Sequence, residues 1–439
     1  MNKFFLLIMA FCASLCSGEL YAQVEHDRVM TIEEIFSLAD RNSKSIRSFI
    51  TGIREAQEEV NVAKNARLPE IEASLSFSFL GNGCLIERNL SHGMKAPIPH
   101  LGNNFAIEAS QAVYTGGAIT HSIALAKLQE QSARLSLDVN RNQVRFILVG
   151  YYLDLFKQSN LLQVYEKNIE LARQVLRDIQ VKNSEGLVLK NDVTRYELLL
   201  ANLELARIQI RNSLAILNAN LLTTLGLPEE IRIQPDTSLV DRSLPVENKD
   251  YWMNRARMHA PLLKQGALSV EMSKHQYKLI KSERLPKLAL VAGNHFDGPI
   301  IIEVPPINQN FNYWYIGVGL KYNISSLYKT NKSVRRSRFS MQRVTEQYDD
   351  VKEQTELAVK ADYIKYLEAY EQLNTLLKSV ELANQNYAVI HNRYKNDMAL
   401  ITDMLDASNA KLSAEVELIN ARIHIIFSYY KLLYVSGIL

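Results

Sequence analysis

Hydrophobic and polar positions change register inside residues 66–79, Ala-Arg-Leu-Pro-Glu-Ile-Glu-Ala-Ser-Leu-Ser-Phe-Ser-Phe. Up to Leu68 the apolar spacing is helical. Beyond Pro69 it alternates, with Ile71, Ala73, Leu75, Phe77 and Phe79 on one side and Glu70, Glu72, Ser74, Ser76 and Ser78 on the other. Proline removes an amide donor and pushes the residue before it out of the helical region, so a helix predicted from residue 42 stops at Leu68. Alternation resumes in Phe105, Ile107, Ala109 and Val113 against Asn104, Ala106, Glu108 and Ser110. Residues 81–103, with Gly81, Gly83, Gly93, Pro97, Pro99 and Gly102, read as the loop between. Residues 70–114 are thus predicted to be a hairpin of two strands, each of membrane-spanning length at roughly ten residues. Ahead of it, Thr31 is placed as a helix N-cap with Glu34 as the returning partner of a capping box.

After Gly116-Gly117, residues 118–182 hold no proline and one glycine, Gly150, with helical apolar spacing throughout. At ~1.5 Å per residue this is a rod near 100 Å, too long for a globular-core helix. It breaks at Ser184-Glu185-Gly186, and a return helix is predicted over residues 191–225, before Gly226-Leu227-Pro228. The order then repeats. A helix over 261–285 leads to a second Leu-Pro junction at Leu285-Pro286, then to a strand hairpin over 287–324, a long helix over 330–396 and a return helix over 401–433. Leu68 and Leu285 lie 217 positions apart, whereas Asp192 and Asp403, like Gly226 and Gly437, lie 211 apart. The difference falls in the hairpin loop, where length variation is tolerated. The chain therefore divides into a first repeat (23–228), a connector (229–245) and a second repeat (246–439).

Composition narrows the function. A net charge of +3 with 22% charged residues provides no strong basic surface, so nucleic acid is excluded as a partner. Residues 1–22 have the layout of a cleaved secretory signal: Lys3, an apolar run, then Leu20-Tyr21-Ala22. Cys12 and Cys16 lie inside that segment, so the mature chain keeps only Cys84 and has neither an internal disulfide nor a thiolate metal site. The strongest apolar run downstream, residues 144–156, is short and contains Arg145 and Asp154, so any membrane crossing is by strands. No nucleophile with a base is visible and the nine histidines show no ligand spacing. His121 and His295 read as surface or strand-end residues. The sequence predicts no catalytic residue, no cofactor and no metal, and the chain is not read as an enzyme.

The ordered set of signal peptide, doubled helix-hairpin-rod-return pattern and doubled Leu-Pro junction resembles the TolC family of outer-membrane efflux proteins over nearly the whole mature chain. A fourth feature is the stretch Tyr394-Lys395-Asn396-Asp397-Met398-Ala399-Leu400-Ile401-Thr402-Asp403-Met404-Leu405-Asp406. It is similar to the family's periplasmic tip, where an aromatic and two aspartates three apart line a closed entrance. The resemblance implies a mainly α fold with membrane β: long antiparallel coiled-coil helices and four strands per chain, three chains forming a 12-stranded barrel with a periplasmic α-helical tunnel. It implies a homotrimer in outer-membrane lipid, working with a periplasmic adaptor and an inner-membrane pump in efflux or type I secretion. Tyr394, Asp403 and Asp406 become gate residues, and Gly186, Leu187, Met398 and Leu400 the tip that an adaptor contacts.

Three positions depart from the pattern. The family's basic latch falls on Ala399, Ser325-Ser326-Leu327 must turn without glycine, and Asn294 falls on the apolar side of the third strand. The residues alone also allow a secreted coiled-coil structural or tethering protein. Four apolar-faced strands are what such a spacer does not need. Conversely, four strands leave two open edges, which lipid forbids unless several copies close them.

Overall fold

The computed structural model describes residues 26–439 apart from 237, 242–243 and 304. The predicted signal segment, 1–22, lies outside the described residues. The chain is mainly helical and forms two compact units. One comprises Ser48–Val139 and Pro261–Gln354, the other the described residues of 26–47, 140–260 and 355–439, so each draws on both sequence repeats.

The first of these units holds a four-stranded antiparallel sheet in the order β2 (Glu70–Phe79), β5 (Leu101–Tyr114), β7 (Lys287–Gly298), β8 (Phe311–Lys321). The strands begin one residue after Pro69 and Pro286, where the side-chain period changes. Register decides the faces, because directly paired residues point the same way. Ile71 pairs with Ala109, Leu75 with Phe105, Phe105 with Phe296, Leu290 with Val318 and Ala292 with Ile316. One face is therefore apolar across all four strands, and it is open: Phe77 is 78% exposed and Ile316 76%. Glu70, Glu72, Glu108, Asp297 and Lys321 occupy the other, polar face. Asn104 donates to Asp297 (2.6 Å) there, and the His295 ring lies 3.4 Å from Glu108 and stacks on Tyr313. Asn294 does fall on the apolar face, where its amide donates to Asn312 (3.0 Å).

Residues 81–103 are not wholly loop. Strands β3 (Gly83–Ile86) and β4 (Gly93–Ala96) pair within them, turned by Leu90 and His92 at positive φ. Gly116 meets a hard constraint at the first strand-to-helix turn: its φ is +66°, and a Cβ there would lie 2.9 Å from the Ser282 carbonyl oxygen. The second turn manages without glycine by right-handed bonds, Ser326 N to Asn323 O (2.9 Å) and Leu327 N to Ile324 O (3.1 Å). His121 is a correction to the surface reading: it is half-buried, its Nδ1 3.3 Å from that of His275. Burial, then the His275 and Lys278 charges, hold it below the usual imidazole range.

In the other unit, β1 (His26–Met30) pairs in parallel with β6 (Ile231–Pro235), which falls in the predicted connector. The fully buried Tyr152 fastens this pair, donating to Met30 O (2.8 Å) and accepting from Asp236 N (2.9 Å). Burial pushes its phenol up to about 12. Thr31 does cap α1 (Ile32–Asn42), accepting from Glu34 N (3.2 Å), but the Glu34 carboxylate is turned to Arg28 (2.5 Å). The next helix, α2 (Lys44–Asn65), ends three residues before Leu68 in two tight turns. The long helix α3 (Ala118–Ser184) and its return helix α4 (Lys190–Leu225) are matched by α8 (Ser326–Lys395) and α9 (Ile401–Val435) in the second repeat. Between them lie α5 (Ser238–Asp241), α6 (Lys249–His259) and α7 (Pro261–Ser282).

The apolar run at residues 144–156 is core: Leu148, Val149, Tyr152 and Leu153 are buried, while Arg145 pairs with Asp40 (2.5 Å) and donates to Leu439 O (3.0 Å). Among the described residues no helix is long and apolar enough to cross a membrane. A second core joins Trp252 and Met253 of α6, Val359 and Tyr366 of α8, and Ile425 and Leu432 of α9.

Candidate functional site

Two turns join the long helices to their return helices, 211 positions apart, and share one backbone. In the first, Leu187 N donates to Lys182 O (2.9 Å) and Gly186 N to Asn183 O (3.0 Å). In the second, Met398 N donates to Arg393 O (2.8 Å) and Asp397 N to Tyr394 O (3.2 Å). These are Schellman closures, which need a left-handed residue just past the helix. Gly186 fills it at φ +78° and Asp397, without glycine's freedom, at φ 57°. Each return helix then starts the same way. Leu189 and Leu400 are extended N-cap residues with no acceptor in the side chain, and a carboxylate three residues on reaches back to the cap amide. Asp192 Oδ2 accepts from Leu189 N (3.2 Å) and Asp403 Oδ2 from Leu400 N (3.0 Å).

Charge distinguishes the two starts. Asp406 is exposed, one turn beyond the exposed Asp403 on the same face of α9, whereas the equivalent position in α4 is Arg195. Two acids thus open α9, whereas one acid, Asp192, and two bases, Lys190 and Arg195, open α4. Asp403 serves the helix start and is exposed to solvent. Asp406 makes no hydrogen bond or ion pair among the described residues.

Lys182 links the turns. Its ammonium pairs with the Asp397 carboxylate, lies 3.4 Å from Tyr394 O and sits 4.9 Å from the centroid of the Tyr394 ring. Its side chain is only 20% exposed. Tyr394 is buried, and among the described residues its hydroxyl has no hydrogen-bond partner. Burial, then the carboxylates of Asp192, Asp178 and Asp397, raise its phenol above the usual range. Ala399, where the sequence comparison places a basic latch, packs on the apolar cluster beneath the turns, as does its equivalent Val188. That cluster contains Ile179, Tyr196, Ile401 and Met404. The cation therefore arrives from the other long helix. Sequence reasoning missed it because Lys182 lies 215 residues from Asp397, and a lysine in a helix's last turn is ordinary compensation of the macrodipole.

Above the cluster the turns present a symmetric apolar quartet. Leu187 is 66% exposed, Met398 61%, Leu189 72% and Leu400 70%. Gly186 lies beside it with open space where a Cβ would go. Leu189 is an addition to the tip residues read from the sequence, and the 211-residue offset from Leu400 was the available signal. Single exposed leucines need no explanation, but three leucines and a methionine in these two turns give them an unusually apolar exposed surface.

Residues 252–429 match a family model described as outer membrane efflux protein. The outer membrane efflux protein BepC of Brucella suis is 22% identical over 415 residues, 91% of this chain and 83% of that protein. Among solved structures, the outer membrane protein VceC of Vibrio cholerae has a TM-score of 0.76 at 14% identity, with 92% of this chain and 96% of that one covered. The Campylobacter jejuni CmeC outer membrane channel has a TM-score of 0.74 at 14% identity, covering 92% and 85%. At such identities the structural likeness is one of fold. Together the matches bear out the resemblance to TolC-family outer-membrane efflux proteins.

Proposed function

We propose that this chain, with an outer membrane efflux protein segment over residues 252–429 and the fold of solved outer-membrane channels, closes as a homotrimer into an outer-membrane duct. The observation that carries this reading is the two-faced sheet with unpaired edges at β2 and β8. An edge strand in hydrocarbon leaves its amides and carbonyls unsatisfied, at several kcal/mol for each group. Joining β8 of one copy to β2 of the next removes every edge, and three copies give twelve strands, an even number in the usual range. The exposed apolar face then meets lipid and the acid-rich polar face lines the lumen. A tethering protein has no use for an open apolar face, which disfavours the alternative.

The two turns form the periplasmic entrance in this reading. Asp403 and Asp406 from three copies bring six carboxylates around the axis, a ring that favours entering cations and binds multivalent ones tightly enough to block. Tyr394, held with Asp397 by Lys182, is buried behind them and fixes the second turn against the first. Gly186, Leu187, Leu189, Met398 and Leu400 make the apolar rim that a periplasmic adaptor grips when an inner-membrane pump delivers substrate, for efflux or for secretion. Membrane fractionation and gels test the assembly. The protein is expected in the outer membrane, running unheated as a trimer that collapses on boiling to about 48 kDa, the mass after signal removal. A stable soluble monomer contradicts it.

A further inference from the structure

The first thirteen residues of α8 carry Lys329, Lys332, Arg335, Arg336 and Arg338, all exposed, and the helix has no carboxylate before Glu346. Among the described residues none of the five has a carboxylate partner, and Arg335 lies over the Phe339 ring (5.8 Å). The arrangement disfavours the helix itself. Lys329 opposes the positive end of the macrodipole, and 329/332, 332/335, 332/336 and 335/338 are like-charge pairs at helical spacing. Nor does the fold ask for it, because the equivalent positions at the start of α3, 211 residues earlier, are Ala118, His121, Ala124, Leu125 and Lys127, with one lysine among them. Something outside the chain must favour these cations.

Their position says what. The apolar side chains Trp314, Ile316, Val318 and Leu320 of β8 lead directly into exposed Tyr322, Ile324, Leu327 and Tyr328, and the helix starts there. Amphipathic rings at the end of an apolar band mark the level of the headgroups. Lys329, Lys332 and Arg336, spaced i, i+3 and i+7, share one helix face. Helical side chains lean toward the N-terminus, here toward that girdle, and long cationic side chains reach back along apolar surface. Arg336 is about ten residues or ~15 Å from the helix start.

We propose that this stripe binds the phosphates of anionic phospholipid, phosphatidylglycerol being the probe, in the periplasmic leaflet, and sets the depth of the sheet in the membrane. The proposal rests on the outer-membrane channel reading. Arginine and lysine bind phosphate by charge-assisted hydrogen bonds, and a surface potential adds to each cation near it.

The experiment uses full-length purified protein in phosphatidylcholine vesicles containing trace spin-labelled phosphatidylglycerol or phosphatidylcholine, with paramagnetic resonance reporting the motionally restricted fraction. Wild type is expected to prefer phosphatidylglycerol about three-fold or more at low salt and to lose the preference at 1 M salt, where the Debye length is about 3 Å. K329Q/K332Q/R336Q should fall to near one, while K329R/K332R and a control further along α8, K360Q/K365Q/K378Q, should keep the wild-type ratio. A wild-type ratio near one, a preference that survives 1 M salt, or equal loss in the stripe variant and the control would overturn the proposal. Failure of the channel reading looks different: wild type would give no trimer and no conductance in any lipid.

Discussion

At the two turns that join the long helices, one backbone carries different side chains: Gly186 against Asp397, Val188 against Ala399, Arg195 against Asp406. Helix ends, Schellman bonds and carboxylate caps coincide, and so do the exposed leucines and methionine. These shared features build the turn. The differences are mostly in charge, and the second turn carries the acids: an aspartate accepted in a left-handed conformation with a lysine of the first repeat drawn to it, and a second acid on the return helix where the first turn has Arg195. A left-handed non-glycine residue costs roughly 1–2 kcal/mol. An ion pair whose acid is 75% exposed returns at most about 1 kcal/mol. Stability therefore does not account for Asp397. Within the proposed function its role is to hold the second turn against the first.

The largest effect expected from breaking this asymmetry is in Lys182→Ala. It leaves Asp397 and the Tyr394 carbonyl without their cation, and resting conductance of the protein in a planar bilayer should rise several-fold, with Lys182→Arg close to wild type. An unchanged conductance would remove Lys182 from the gate. Asp397→Gly sharpens the comparison by giving the second turn the first turn's residue. Strain is relieved while the ion pair is lost, so conductance should rise as in Lys182→Ala while the denaturation midpoint hardly moves, the two contributions being about 1 kcal/mol and opposite.

Gly186→Ala is the reverse probe. Nothing lies within 4 Å of the new Cβ, so only backbone strain acts, and stability should fall by about 1 kcal/mol with conductance unchanged. The smallest effect belongs to His391, stacked on Tyr387 one turn before Tyr394. Burial and then the Lys395 charge lower its pKa from 6.5, Asp178 opposing. The unfolded chain thus takes up a proton that the folded chain resists, so the His391 contribution is whole above pH 6.5 and is lost as the pH falls below it. Thermal melts at pH 7.5 and 5.5 should differ less in His391→Gln than in wild type, and an equal difference would exclude His391 as a source of acid sensitivity.

What could be read in the sequence was local. Pro69 and Pro286 act on their immediate neighbours, so the strands starting at Glu70 and Lys287 were visible, and alternation carried their faces. Gly186 announces a left-handed turn because few other residues take one, whereas Asp397 announces nothing, and only the bonds from Met398 and its own amide reveal the same closure. The contacts that were missed all bridge long separations or run against residue type. Lys182 meets Asp397 across 215 residues, Arg145 meets Leu439 across 294, and β1 finds β6 through a parallel pairing that no hairpin signal marks. The β3–β4 pair depends on Leu90 and His92 at positive φ, positions where composition favours glycine or asparagine. Ala399 was read as a lost latch because a motif comparison sees one segment, and the cation at this turn comes from the other repeat.

Most direct is a test of whether the two equivalent turns do different work. Asp192 and Asp403 cap their helices by the same bond, so Asp192→Ala controls for the loss of that bond while leaving the second turn's charges intact. Single-channel conductance should be recorded in a planar bilayer with trivalent cations added from the periplasmic side. Asp403→Ala combined with Asp406→Ala is expected to abolish the block and weaken cation selectivity, with Asp192→Ala retaining both. Block unchanged in the double variant, or lost equally in Asp192→Ala, would contradict an entrance built on the second turn.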